Sequence, residues 1–197
     1  MQKVIVYFDY VCPYCLIANA NVNRFQAKYP EVSFEWKPWE IVPEAPKEGI
    51  HLDFGTVSPP LARLAEEAGL WLRCPSIQPN SHLALLGLYF AKRNNKFLEY
   101  HNAVFDALWN NDENIGQLDI LGRIMEKVGL SQRAFRTSLV NDEDGFEKML
   151  AESEQDAIKD NIQLAPTYLF DGKRIIGNVS ARRVEKFIQK TIPSKKP

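Results

Sequence analysis

The chain is poor in cysteine, almost neutral and without long apolar runs, and each shortage removes a class of protein. Three cysteines in 197 residues, at positions 12, 15 and 74, cannot frame a disulfide-held secreted fold. A net charge of -1, from 24 Lys and Arg against 25 Asp and Glu, removes the electrostatic pull towards nucleic acid or anionic membrane. No stretch reaches the roughly eighteen apolar residues that a spanning helix needs. The apolar run Val4 to Phe8 is ended by Asp9 before a signal-peptide core can develop. The expectation is a cytoplasmic protein with no nucleic-acid and no membrane partner. Proline is absent between Pro79 and Pro166, so that whole stretch can carry uninterrupted helices. What remains is ordinary globular composition, 45% hydrophobic and 25% charged, at a length that suits one large domain or a small domain with an insertion.

Within the proline-free stretch, Leu121, Ile124, Met125 and Val128 recur at helical spacing, with Gly129 where a C-cap glycine belongs. Leu85, Leu86, Tyr89 and Phe90, then Phe97, Val104, Phe105 and Leu108, predict two further helices joined near Asn94-Asn95. Phe146, Met149 and Leu150 predict another, with Asn141 and Asp142 as candidate N-caps. The two ends of the chain read differently. Lys3 to Phe8 predicts a buried strand, the segment to Lys28 a helix, and the alternating Val32 to Lys37 a second strand. Thr167 to Phe170 and Arg174 to Ile176 flank Asp171-Gly172-Lys173, a hairpin signal, and Ser180 can cap a last helix carrying Val184, Phe187 and Ile188. The two ends supply βαβ and ββα units, and with Cys12-Pro13-Tyr14-Cys15 at the first strand-to-helix junction the fold class expected is α/β, a thioredoxin fold with an all-helical domain inserted between the second and third strands. Its parts are residues 1–55 and 161–197 for the thioredoxin-like domain and 56–160 for the insertion.

Cys12-Pro13-Tyr14-Cys15 falls at the first strand-to-helix junction. Pro13 suits the first helical position, which puts Cys12 at the N-cap, where unpaired backbone N–H groups and the helix dipole stabilise a thiolate. Cys15, almost one turn later, can attack a mixed disulfide formed at Cys12. Zinc is the competing reading of such a pair. Structural zinc requires four protein ligands, and the remainder of the chain offers Cys74 and three scattered histidines at 51, 82 and 101, so redox chemistry is favoured and no metal is expected.

The second feature lies at the far end. Ala165-Pro166-Thr167-Tyr168 places a proline at the start of a strand, where a missing N–H does least harm. Base rates alone favour a trans bond. The combination with the cysteine pair turns the expectation to cis, with Ala165 able to pair with an extended substrate held as a mixed disulfide.

Asp9-Tyr10-Val11-Cys12-Pro13-Tyr14-Cys15 with Leu16, the long helical block, and Ala165-Pro166-Thr167-Tyr168 with Gly177 together resemble the DsbA-type thioredoxin-fold oxidoreductases, most closely the cytoplasmic FrnE-like group. The resemblance runs from Val4 to about Gln189. It implies Cys12 as nucleophile, Cys15 as resolving thiol, Pro13 and Tyr14 as residues tuning the pair, and a cis Pro166 in a substrate-binding loop of Ala165, Pro166 and Thr167. It implies a redox-active disulfide with no organic cofactor, glutathione as a conceivable co-substrate, partners that are protein or low-molecular-weight thiols and disulfides, and room for a homodimer. The 2-hydroxychromene-2-carboxylate isomerases and kappa-class glutathione transferases are similar in architecture but carry serine at the first cysteine position, which makes a glutathione-dependent isomerase or transferase the alternative. One position departs from the thioredoxin pattern: six residues before the first cysteine, where a buried acid often stands, this chain has Val6. Proton transfer from Cys15 is then left to water, to Lys37 or to another group.

Of the remaining candidates, Cys74 reads as a partly buried free thiol. His82 and His101 read as structural histidines among apolar neighbours, and Trp36, Trp39, Trp71 and Trp109 as core residues. The segment from Trp39 to Ser58 reads as a long connection that could border the site.

Overall fold

A computed structural model of the chain describes residues 2–53, 56–141, 145–177 and 179–191. The first strand, β1 (Gln2–Phe8), runs into helix α1 (Pro13–Lys28) and returns as β2 (Val32–Pro38), which pairs with β1 in parallel. The chain comes back to this sheet only at β5 (Thr167–Phe170) and β6 (Lys173–Ile176), followed by α8 (Ala181–Thr191). The sheet order is β2-β1-β5-β6, with β5 antiparallel to β1 and β6 antiparallel to β5. This is the thioredoxin arrangement. Asp171 at φ 48° and Gly172 at φ 70° make the β5–β6 turn, the two positive values that a tight primed hairpin demands.

Strand β1 is central, and both of its faces are covered. Val4, Val6 and Phe8 are fully buried on one side with α1 residues Ala18, Val22 and Phe25, while Tyr7 packs on the other against Ala157 and Ile162. Strand alternation therefore assigns each residue of β1 to a definite layer.

Between β2 and β5 the described residues add a two-residue ladder, β3 (Ile50–His51) with β4 (Ile77–Gln78), and six helices. These are α2 (Pro59–Glu67), α3 (His82–Arg93), α4 (Phe97–Trp109), α5 (Leu118–Lys127), α6 (Gln132–Asn141) and α7 (Phe146–Lys159). The insertion is thus helical apart from that ladder. Leu121, Ile124 and Met125 are buried as their spacing predicts, and Gly129 follows α5 at φ 82°. Helix α7 differs from expectation at its start. Asn141 belongs to α6, the residue preceding Phe146 is Gly145 at φ 64°, and Asp142 lies outside the described residues. Helix α2 begins at Pro59-Pro60, where prolines open a helix instead of breaking a segment.

One continuous apolar core joins the sheet to the insertion. Phe8 and Trp36 from the sheet, Phe105 and Leu108 from α4, and Leu150 from α7 belong to the same buried cluster. The tryptophans divide: Trp36 and Trp109 are buried and Trp39 packs at the margin, but Trp71 is 91% exposed, so the core reading fails there. Among the described residues no helix is long and apolar enough to cross a membrane.

Candidate active site

The end of β1 delivers the chain to the start of α1, and the site is built at that junction. Cys12 stands at the N-cap in extended conformation (φ -92°, ψ 118°) with Pro13 opening the helix, and its carbonyl accepts the N–H groups of Cys15 at 3.0 Å and Leu16 at 3.2 Å. Both cysteines are free thiols and buried; Cys12 retains 4% exposure and Cys15 none. Pro13 and Tyr14 between them are half-buried.

The two sulfurs are driven in opposite directions. The Cys15 thiol hydrogen-bonds to Cys12 and is the largest influence holding the Cys12 thiol below its ordinary pKa, helped by the backbone N–H groups of Cys15 and Tyr14. Burial works against this, as does the charge of Asp9. For Cys15 burial dominates and, with the hydrogen bond and charge of Cys12, raises its pKa well above the ordinary thiol value. One sulfur is prepared to be an anion and its neighbour to keep its proton.

The loop before β5 closes over this pair. The Ala165–Pro166 peptide is cis, and in its thiol form Cys12 donates to the Ala165 carbonyl at 3.4 Å. The Pro166 carbonyl accepts the Gly177 N–H at 2.7 Å, and Pro166, Tyr168 and Gly177 border the same small crevice as Tyr14. Thr167 is buried, with its hydroxyl donating to the Leu164 carbonyl at 2.6 Å, so its side chain shapes the loop from within. The structure therefore brings together Cys12, Pro13, Tyr14, Cys15, Ala165 and Pro166 from opposite ends of the sequence. On the other side of Pro13 a cavity of about 210 Å³ is lined by Val11, Cys74, Pro75, Leu108 and Trp109 among others. Cys74 is a partly buried free thiol in its wall.

The histidines sit elsewhere and differ from each other. His101 is fully buried among Phe8, Tyr10, Trp36, Phe97 and Phe105, as its apolar neighbourhood predicts, with Nδ1 3.2 Å from the Tyr10 hydroxyl. His82 departs from its expected apolar setting. Its ring lies 3.2 Å from Glu40 and 3.1 Å from Glu147, because the start of α3 faces carboxylates from the β2 exit and from α7. Lys37 is also placed: it pairs with Asp156 at 2.7 Å and lies over the Tyr7 ring, on the sheet face opposite Val6 and α1. That removes it from the cysteines.

A further residue of the site goes unassigned by the motif alone. Asp9, directly after β1, is fully buried, accepts the Ile41 N–H at 2.8 Å and the Val11 N–H at 3.4 Å, and accepts a hydrogen bond from the Ser81 hydroxyl. Burial pushes its pKa up to about 6. The signal available in the sequence is an acid ending an apolar strand three residues before the first cysteine; its partners, from distant segments, are not visible there.

Residues 3–189 match the family of DsbA-like thioredoxin domains. The chain belongs to that family. A curated relative, the uncharacterized protein YwbO of Bacillus subtilis, is 35% identical over 145 residues, covering 68% of this chain and 70% of its own. Among solved structures, a probable DsbA oxidoreductase from Streptomyces coelicolor superposes with a TM-score of 0.82 at 17% identity, over 100% of this chain and 92% of the other. A 2-hydroxychromene-2-carboxylate isomerase superposes at 0.75 and 20% identity, over 96% and 95%. The DsbA-like fold of the chain follows from these.

Proposed function

We propose that the chain is a thiol-disulfide oxidoreductase acting through the Cys12-Cys15 pair, with protein or low-molecular-weight thiols and disulfides as its partners. The observation that carries this reading is the placement of the pair: Cys12 caps α1 with its sulfur 3.4 Å from the Ala165 carbonyl beside the cis Pro166, and Cys15 lies fully buried three residues on, an arrangement that holds the first thiol below and the second above its ordinary pKa. A nucleophile needs the first property and a resolving group held in reserve needs the second. In reduction, the Cys12 thiolate attacks a substrate disulfide and releases one thiolate, and Cys15 then displaces the second substrate sulfur to close the Cys12-Cys15 disulfide. Oxidation of a substrate dithiol runs the same steps in reverse. The Ala165 backbone, whose carbonyl already meets the Cys12 sulfur, lines an extended substrate alongside the reacting bond. Pro13 and Tyr14 tune the pair: the first starts the helix, and the second supplies one of the N–H groups facing Cys12. The cycle needs no organic cofactor, glutathione serves as a co-substrate where it supplies the thiol, and the reading fits a cytoplasmic protein, as a monomer or a homodimer.

The likeness to the isomerase favours a second reading, glutathione-dependent isomerase or transferase chemistry at the same helix start. The two part at Cys15, which dithiol exchange requires and the alternative does not. The test is disulfide turnover by the wild type, Cys12→Ser and Cys15→Ser. Dithiol exchange predicts loss of turnover in both variants and, in Cys15→Ser, accumulation of a covalent adduct at Cys12. Turnover surviving Cys12→Ser overturns the proposal; glutathione-dependent catalysis surviving Cys15→Ser replaces it with the alternative.

A further inference from the structure

This inference rests on the dithiol reading and names the class of substrate that Cys12 receives. The cavity of about 210 Å³ beside Pro13 takes part of its wall from the nucleophile's own turn, since Val11 and Pro13, the two chain neighbours of Cys12, both line it. Consecutive Cα atoms are about 3.8 Å apart, so a group held there lies next to the residue that bears the reacting sulfur. Leu108 and Trp109, buried at the end of α4, line the cavity from the insertion, and Leu61 of α2 lines it from the other side. The two sides belong to different apolar clusters. Leu61 packs with Ile17 of α1 in a small cluster of its own, Leu108 and Trp109 belong to the main core, and Leu72, also in the wall, packs against both. The cavity thus sits at the seam between them. Apart from Arg73, Gln78 and the Cys74 thiol, every described residue of its lining is apolar. The Trp109 N–H is engaged with the Tyr10 carbonyl, and the Arg73 guanidinium with the Asn110 carbonyl.

We infer that this cavity receives an apolar group of about one aromatic ring carried on the sulfur that Cys12 attacks, so that the chain selects low-molecular-weight aryl or branched-alkyl disulfides over charged ones such as glutathione disulfide. An apolar cavity of about 150 Å³ holds a benzene ring, and this one is larger and lined by the same kind of carbon. Its described lining includes no residue of the Ala165-Pro166-Thr167 loop, where the backbone of a peptide would lie, so the group it serves is attached to the reacting sulfur itself. In the reaction the Cys12 thiolate bonds to the sulfur bearing the apolar group, the substrate disulfide breaks, and the partner sulfur leaves as a thiolate with the bonding pair. Cys15 then bonds to Cys12 and gives its proton to water, and the apolar thiolate leaves and takes a proton from water. The enzyme dithiol loses two electrons and the substrate disulfide gains them.

Two mixed disulfides of thionitrobenzoate, one with benzyl mercaptan and one with 2-mercaptoethanol, share a coloured leaving group and differ in the group left on Cys12. Single-turnover stopped flow of the reduced protein reads its release, and dividing each rate by that with dithiothreitol removes intrinsic reactivity. The wild type should favour the benzyl compound by about tenfold or more, the effect of taking a ring-sized group out of water. Cys74 allows the cavity to be closed in the folded protein. With Cys12 and Cys15 protected as their disulfide, Cys74 is alkylated with N-benzyl iodoacetamide and the pair is then reduced; the preference should fall towards one. Leu72→Asp, which sets a charge in the wall, should lower it in the same way without any label. A wild-type preference near one, or a preference untouched by both the label and Leu72→Asp, overturns the inference and leaves dithiol exchange standing where release is lost in Cys12→Ser. Release that persists in Cys12→Ser removes the dithiol reading and the inference with it.

Discussion

At the scale of single residues, this molecule buries titratable groups next to one another and lets their surroundings decide which are charged. His101 is the simplest case. Fully enclosed by aromatic rings, it has its pKa lowered by burial to about 3. The unfolded chain takes up this proton near 6.5 and the native protein does not until about 3, so His101 contributes stability above 6.5 that is lost as pH falls through that window. Asp9 acts in the opposite sense. Its folded value of about 6 lies above its ordinary 3.8, so its contribution is complete below 3.8 and is lost as pH rises towards 6. The two oppose each other between 3.8 and 6. Urea unfolding between pH 7 and 4 should therefore show a shallow slope in the wild type. In His101→Leu stability should rise on acidification, because the Asp9 contribution is then unopposed, by at most about 1.4 kcal/mol per pH unit. A His101→Leu profile parallel to the wild type would mean the imidazole does titrate in the folded state.

Secondary elements show where local signals suffice and where they do not. Helix α3 meets α4 closely at Gly87, where an added Cβ would land on the Tyr100 hydroxyl. That hydroxyl donates to the Ala84 carbonyl at 3.0 Å inside the core. Alanine favours a helix interior by about 1 kcal/mol over glycine, but overpacking of this kind costs typically about 1–3 kcal/mol and displaces a buried hydrogen bond as well. Gly87→Ala should therefore destabilise, measured as a lower urea midpoint with unchanged slope; a higher midpoint would show that α4 yields freely. Strand β1, helix α1, helix α5 with Gly129 and the Asp171-Gly172 hairpin were legible because their determinants lie within a few residues of each other. Helix α6 was not, since Phe135 is its one buried residue and no stripe forms. Helix α2 was not legible either, since it lies in the proline-rich stretch before Pro79 and buries only Ala65, so no apolar stripe marks it. The cysteine pair and the Pro166 loop were legible as motifs, whereas Asp9 was not. Its burial depends on Ile41, 32 residues away, and on Ser81, and no local spacing encodes that meeting. Trp71 shows the converse, a residue type that is commonly buried and is here left in solvent.

For the whole molecule, the insertion and the thioredoxin sheet share one core, and the active site draws on both. The Trp109 indole on α4 donates to the Tyr10 carbonyl at 2.9 Å, tying the inserted helices to the loop that carries Cys12. Ser81 at the head of α3 does the same for Asp9. A core shared in this way predicts one cooperative unfolding transition, with far-ultraviolet circular dichroism and tryptophan fluorescence coincident in urea. Two separated transitions would mean that the insertion is held independently of the sheet.

All of the chemistry argued for this DsbA-like chain starts from one anionic sulfur at the first turn of α1. Thiolate absorbance of the reduced protein, followed against pH in the wild type and in Cys12→Ser, measures it directly. The expected result is a thiolate forming below the free-cysteine value of about 8.5, lost on Cys12→Ser and kept on Cys74→Ser. A Cys12 that ionises at or above that ordinary value would contradict the account.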